Sequence, residues 1–481
     1  MVKGVVGEET RLNSLESRLT KSALPSEVGL AIGKFSSALD RVFLFDLIPT
    51  PPNDSGEPAS SIAHSDNKKT AAKSKTPVPD SLFIDQDWVA EHARHVSRML
   101  VGGVKVVGVY VWLGDAAFKN STITLCQTVK GVAEAAATVD WGERLLLHIS
   151  YSPRRWNCRS CSLSPNITSG SLRPCDFKLG KVLSSIQTFK CMHNFDLRVP
   201  IFRDSAAKYQ TFSDVLRHAI SVHAKELTGA KALIDGKLVV DNEPCSSDGV
   251  HEIELLIPIL SNSSVEACSQ KDVVGILSFS GSLCSFAYLN SKEPISQAIT
   301  DLKGDIITSL QSRLDIISDE ADGDSGNNYD VERQVSDDIP AEKPVSQLVL
   351  QLLRKGYSLP FPRRVFALWL AGAYVCDYLQ PSETVEVLKD HCMELLSMEA
   401  PTDVSTIFEP EKEVISFATK SFWDVAVPAT ETYLMGDKSK LDGRGESGAK
   451  SVKPGHINVV AAGLILILAI LVGFLLFFLK G

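Results

Sequence analysis

Apolar and polar positions alternate along this chain with two periods, and the places where the period changes mark its elements. Leu12, Leu15 and Leu19 recur at helical spacing, which predicts a short amphipathic helix in the first twenty residues. Two apolar runs follow, Val28 to Ile32 and Val42 to Ile48, around a polar turn near Ser36 and Asp40. That is the pattern of a hairpin of largely buried strands, with Gly29 and Gly33 admitting close backbone approach. Asp87 stands where an N-cap belongs, and Val89, Ala93, Val96 and Leu100 then form one helix face that ends at Gly102 and Gly103. Val104 to Leu113 is a continuous β-rich run, expected to be a central strand buried on both faces. A helix is expected over Thr124 to Ala137 and a strand over Arg144 to Tyr151. Beyond these come a helix from Ser213 to Leu227, a type I′ hairpin at Asp235-Gly236, and strands at Glu252 to Leu260 and Val273 to Leu289. A long helix carries Ile295, Ile299, Leu302, Ile306, Leu310, Leu314 and Ile317 as one stripe. Val345 to Leu353 is apolar, a strand pair turns near Gly372, and Ser382 is placed to cap a helix bearing Val385, Leu388, Cys392 and Leu395.

The last apolar run differs in kind. Val459 to Leu479 holds no charge, proline or amide side chain, and as a helix it reaches about 30 Å, the hydrocarbon thickness of a bilayer. A membrane span is therefore expected over 457–479, with Val459, Leu464, Leu466, Leu471, Phe474 and Leu479 among its lipid-facing anchors. The charged opening stretch has no apolar core of a secretory signal, so the expectation is a single-pass tail anchor with the bulk of the chain in the cytosol. Lys450, Lys453 and His456 on one side against Lys480 on the other bias the orientation the same way.

Between the periodic segments lie stretches with little to bury. Residues 49–80 read as a disordered loop, 318–343 as an acidic linker, and 399–456 as a flexible juxtamembrane tether. The expected organisation is an α/β region from 1–48 and 81–200, a second α/β portion over 201–317, and a strand and helix portion over 344–398. The fold class is α+β, a mixed sheet flanked by helices, with a single C-terminal transmembrane helix. The balance of 49 basic to 58 acidic residues, with no basic stripe among aromatics, gives no support to a nucleic-acid partner, and none is expected. In reducing cytosol the ten cysteines are expected as thiols or ligands, and the sequons at Asn120, Asn166 and Asn262 should carry no glycan.

Five residues have metal-ligand chemistry. Cys158 and Cys161 form a C-x-x-C pair, followed by Cys175, Cys191 and His193, and such a set suggests zinc. The later gaps match no ribbon or finger, so these five stand as weak metal candidates beside the alternative of ordinary thiols. No helix pattern starts at Cys158, which disfavours a redox pair. His218 and His223 are five apart and do not share a helix face. No phosphate-cradling loop, nucleophile elbow or zincin motif occurs, and no cofactor is expected. A membrane-tethered zinc or thiol hydrolase built on the Cys158 to His193 cluster is the enzyme alternative. A fusion-type coiled coil lacks heptads before the span.

Two resemblances carry further. The order GLAIG (Gly29 to Gly33), DRVFLFDLIPTPP (Asp40 to Pro52), a helix from Trp88 and VKVVGVYVWLGD (Val104 to Asp115) resembles the opening of an MPN (JAB1/Mov34-type) domain. Active members of that superfamily place an H-x-H zinc pair where this chain has Tyr110, Val111 and Trp112, so the resemblance implies an inactive MPN-like region. Most of the chain is similar to the Odr-4-like (odorant response abnormal protein four) family. The similarity runs through LHISYS, Asn157-Cys158-Arg159, Arg173-Pro174, FKCMHNFDLRVPI, SGSLCSFAYLNSKEP, RRVFALWLAGAYVCDYLQPSETVEVLKDHCMELL and the terminal span. Cys158 and Cys191 fall within matching stretches, whereas Cys161 and Cys175 do not. The resemblance implies a non-enzymatic adaptor of the endoplasmic reticulum membrane that supports folding or trafficking of membrane receptors. It also implies a partner, the cysteine protease specific for the ubiquitin-fold modifier, and pairing of two inactive MPN-like folds as the contact.

Overall fold

The computed structural model describes residues 2–22, 24–63, 81–136, 142–164, 168–202, 212–239, 249–258, 273–324, 362–398, 406–411 and 416–420. These lie in the compact unit Met1–Ala426. The architecture is mixed α+β.

The first sheet closes on itself. Strands β1 (Gly4–Glu8), β2 (Glu27–Ser36), β3 (Arg41–Pro49), β6 (Lys105–Trp112), β7 (Glu143–Tyr151), β8 (Arg154–Ser162) and β9 (Leu172–Gly180) form a barrel in the order β1-β3-β2-β6-β7-β8-β9. The expected hairpin is β2 and β3, antiparallel with Gly29 opposite Pro49 and Ser36 opposite Arg41. The strand that closes the ring, β1, was hidden in what reads as a helical opening. It pairs in parallel with both β3 and β9, so the sheet has no free edge there. Both faces of the barrel wall are covered, which is why β6 is an unbroken apolar run. On one face α1 (Glu9–Ser22) sets Leu12, Leu15 and Leu19 against Ala31, Leu44, Tyr110 and Leu147. On the other, α2 (Gln86–Met99) and α4 (Thr122–Ala135) set Val89, Val96, Leu125 and Val129 against Leu30, Phe45, Val109 and Leu146. The helix α3 (Asp115–Asn120) completes the crossover from β6 to its parallel neighbour β7.

The second sheet has the order β12-β11-β13-β10-β14-β18, from β10 (Ile186–Phe202), β11 (Lys231–Ile234), β12 (Lys237–Leu238), β13 (Val250–Leu256), β14 (Val273–Asn290) and β18 (Ser416–Lys420). Asp235 and Gly236 both have positive φ, 49° and 77°, the geometry a type I′ turn demands. Helices α5 (Phe212–Gly229) and α6 (Ile295–Asp324) cover one face, Leu216 and Ile220 meeting Ile306, Leu310 and Leu314 over Phe195 and Leu283. A third sheet, β16-β15-β17, joins β15 (Arg363–Leu368), β16 (Tyr374–Leu379) and β17 (Ile407–Phe408). It packs with α7 (Val385–Leu396) on the common core.

Several boundaries differ from expectation, each for a local reason. The α2 cap is Asp85, whose carboxylate accepts the Trp88 N–H, rather than Asp87. For α7 it is Thr384 rather than Ser382. Part of the expected loop 49–80 is ordered. The Asn53 amide oxygen accepts the Ser55 and Glu57 N–H groups, and β4 (Ser60–Ala63) pairs with β5 (Ser81–Ile84). Residues 64–80 lie outside the described residues. The second sheet begins with β10, ahead of the expected boundary at 200, because β10 runs antiparallel to β14 from Ile186 to Phe202. The α6 helix continues past 317 to Asp324, into the expected linker. Within the expected tether, β17 pairs with β15 and β18 with β14. The apolar segments 345–353 and 457–479 lie outside the described residues, among which no helix is long and apolar enough to cross a membrane.

Two buried joints hold the sheets together. Lys34 of β2, with its side chain only 3% exposed, places its ammonium 2.6 Å from Asp301 of α6 and donates to the Tyr288 carbonyl at 2.5 Å. Beside it Gly102, at φ 71°, lets the Tyr288 ring approach so closely that a Cβ would lie 2.3 Å from it. The second joint is a charge clamp. Arg364 grips Asp305 with both terminal nitrogens at 2.8 and 2.9 Å. Arg313 grips Glu411 and donates through Nε to the Pro362 carbonyl at 2.9 Å. Glu411 also accepts the Arg364 and Cys284 N–H groups at 3.0 and 3.2 Å.

Removing one member of such a clamp strands its partner's charge in the core. Glu411→Ala is expected to lower the unfolding free energy by about 3–5 kcal/mol in urea titrations, whereas removing the exposed Arg94 and Glu91 pair should change it by less than about 1 kcal/mol.

Candidate functional site

The five metal candidates do not converge. Cys158 and Cys161 both lie on β8, and an odd spacing on a strand sends two side chains to opposite faces. Cys158 packs on the α1 side of the barrel wall, Cys161 on the α2 and α4 side. Each meets a different thiol: Cys158 hydrogen-bonds Cys175, its register partner on β9, and Cys161 hydrogen-bonds Cys126 of α4. The shared hydrogen bond, together with burial, lifts both the Cys158 and the Cys161 thiols well above their ordinary range. The same bonds lower the Cys175 and Cys126 thiols, so each pair shares its proton on its own side of the wall. Among the described residues no group of three or more His, Cys, Asp or Glu can hold a metal ion.

Cys191 and His193 belong to the second sheet, on the β10 face that α5 covers. Burial pushes the Cys191 thiol up to about 12. His193 places Nε2 3.0 Å from Nε2 of His223, whose Nδ1 lies 3.2 Å from the Glu226 carboxylate. A carboxylate only accepts, so Nδ1 of His223 carries its proton. The two Nε2 atoms share one hydrogen bond across the sheet and helix. The Cys–His pairing that a thiol hydrolase needs is therefore not made by these residues: Cys158 faces Cys175 and His193 faces His223. His223 is thus satisfied on both ring nitrogens, and no spacing in the sequence links it to His193.

Tyr110, Val111 and Trp112 stand where the expected resemblance to MPN domains would set an H-x-H pair. Tyr110 and Trp112 point from β6 to the α1 side, and the Tyr110 hydroxyl donates to Glu27 at 2.6 Å. Arg18 of α1 grips the same carboxylate at 2.6 and 2.9 Å, and Trp112 Nε1 donates to the Leu24 carbonyl at 3.2 Å. Val111 faces the other core. Asp115, just beyond, accepts Arg155 at 2.5 Å, and His148 stacks on Phe118 while donating to the Leu113 carbonyl at 2.8 Å. Each group is engaged in holding the crossover. The membrane-anchor positions Val459, Leu464, Leu466, Leu471, Phe474 and Leu479 lie outside the described residues.

Burial holds two histidines neutral. His92 of α2 joins Thr50 and the Leu395 carbonyl at 3.2 and 2.8 Å, and burial brings its pKa down to about 4. Burial and the neighbouring His223 bring His193 to about 4 as well. Both groups take up protons more readily when unfolded, near 6.5, so their contribution to stability is present above that pH and is lost as pH falls toward 4. The urea midpoint is expected to decline over this window, and His92→Gln should flatten the decline; equal slopes would contradict the assignment. For the cysteines, the purified chain is expected to bind well under one equivalent of zinc by mass spectrometry, with Cys158→Ala unchanged from wild type.

Comparison with known proteins places this arrangement. The family described as "Odorant response abnormal 4-like" matches residues 29–407. The protein odr-4 homolog of Homo sapiens is 26% identical over 399 residues, covering 76% of this chain and 77% of its own. That of Dictyostelium discoideum is 24% identical over 383 residues, covering 78% and 76%. Among solved structures, the crystal structure of UfSP from C. elegans aligns at 8% identity and a TM-score of 0.36, covering 82% of this chain. This chain spans 57% of that one. With the match running from the barrel hairpin at Gly29 through β17, the chain belongs to the odorant response abnormal 4-like family.

Proposed function

We propose that this chain is a non-enzymatic, tail-anchored adaptor of the endoplasmic reticulum membrane. Its α+β head faces the cytosol and holds the ubiquitin-fold-modifier-specific cysteine protease at that membrane, and it supports folding or trafficking of membrane receptors. The observation that carries the reading is the uninterrupted apolar stretch Val459 to Leu479 in a member of this family. Anchoring follows from the transfer of sixteen large apolar side chains into lipid, for which water offers no comparable environment. The protease and receptor clients are what the family resemblance implies. The dispersal of the Cys158 to His193 set and the filling of the H-x-H place by Tyr110 and Trp112 support a role in holding proteins together.

The full chain is expected to stay with membranes through alkaline carbonate extraction, and a chain ending at His456 to remain in the supernatant. Protease added outside sealed vesicles should digest the head, and Asn120, Asn166 and Asn262 should stay free of glycan. Affinity capture should recover the modifier protease with both forms, but at the membrane only with the full chain. A head protected from external protease would overturn the topology, and capture without that protease would overturn the partner.

A further inference from the structure

The second sheet is covered unevenly. Along β10 the odd positions Phe189, Cys191, His193, Phe195 and Leu197 are buried under α5 and α6, and the even positions face the other way. On that other face, among the described residues, only the β14 share is roofed, with Phe286 packed against Phe366, Tyr374 and Phe408 of the third sheet. Lys190, with Nζ 4.9 Å above the Phe408 ring, marks where the roof stops. Beyond it lie the outward faces of β10, β13, β11 and β12.

Register places the outward residues side by side. Lys190 lies opposite Glu252, Leu233 opposite both Glu254 and Leu238, and Lys231 opposite Leu256. Met192, Leu238, Val250 and Leu256 are 43–68% exposed, four of the eleven large apolar side chains so exposed among the described residues. Their concentration on one sheet face separates them from the isolated apolar residues that any surface carries. Glu252 and Glu254 run down the middle on β13, and neither carboxylate has an ion-pair partner among the described residues. Four strands at about 4.8 Å spacing make a strip some 15 Å wide, enough for one helix of about 10 Å diameter.

We propose that this strip docks a cationic amphipathic helix of a partner protein, its aliphatic residues over Met192, Leu256 and Leu238 and its Lys or Arg side chains beside Glu252 and Glu254. The charge pattern selects this occupant. A second copy stacked face to face about a two-fold axis along β13 sets Glu252 and Glu254 against their own counterparts, which is repulsive. The proposal concerns the head alone and holds whether or not the chain is anchored in a membrane.

The test uses the full chain in zwitterionic-lipid nanodiscs and a fluorescent 18-residue helical peptide carrying one Leu stripe flanked by Lys, with a counterpart carrying Glu in place of Lys. The Lys peptide is expected to bind the wild type, and about tenfold more weakly the Glu252→Lys/Glu254→Lys variant, as reversal of two contact charges implies. Asp54→Lys/Glu57→Lys, with the same change in net charge on an exposed turn elsewhere, should bind as wild type. The Glu peptide should prefer the Glu252→Lys/Glu254→Lys variant. Circular dichroism melts confirm that both variants fold. Equal binding by the two double variants would overturn the proposal, as would sedimentation showing a wild-type dimer that Leu256→Glu dissociates, since a second copy would then own the strip.

Discussion

Two guanidinium groups sealed from water fix how the second half of the head is put together. An arginine cannot shed its charge when buried, so Arg313 and Arg364 must each find a carboxylate before their segments can leave solvent. Asp305 and Glu411 supply them, and Glu411 reaches beyond its guanidinium to the N–H groups of Arg364 and Cys284. Four stretches far apart in sequence, at 284, 305–313, 362–364 and 411, are therefore brought to one point. The charges permit little slippage among them. A one-residue shift of β15 against β14 would leave an arginine in the core without its partner.

That clamp also decides which surfaces exist. By bringing Glu411 to β14 it seats β17 over Phe286, closing the β14 share of the second sheet, while among the described residues nothing covers the β10, β13 and β11 share. The barrel is joined to this assembly at Lys34, whose single charge lies between Asp301 and the Tyr288 carbonyl, and at Gly102, where the Tyr288 ring lies against the backbone. The barrel itself spends its polar groups on closure. Glu8 accepts the N–H groups of Val182 and Leu183, Glu27 takes Tyr110 and Arg18, and the thiols at 126, 158, 161 and 175 face one another in pairs.

Much of the fold is legible along the chain because burial writes its period into the residues. The stripe from Ile295 to Ile317, the leucines at 12, 15 and 19, and the run from Val104 to Leu113 each name an element and its buried face without reference to the rest. Asp235-Gly236 names its turn for the same local reason: only residues at ease with positive φ fit there. The caps at Asp85 and Thr384 were less legible, because several acceptors stand near each helix start and only the path of the preceding chain selects one.

What the sequence by itself determined is the main helices and central strands, the family and the greasy stretch at 459–479, all of which depend on neighbouring residues or local composition. The tertiary structure alone decided partnership. A C-x-x-C pair looks like a ligand pair until its residues are found on a strand, where a spacing of three points them apart. The short run Gly4 to Glu8 becomes a strand because β3 and β9 present edges to it, and Ile407 to Glu411 leaves the tether because Glu411 satisfies a buried arginine. Such long-range demands depend on which groups lose their water together. No window of sequence contains that information.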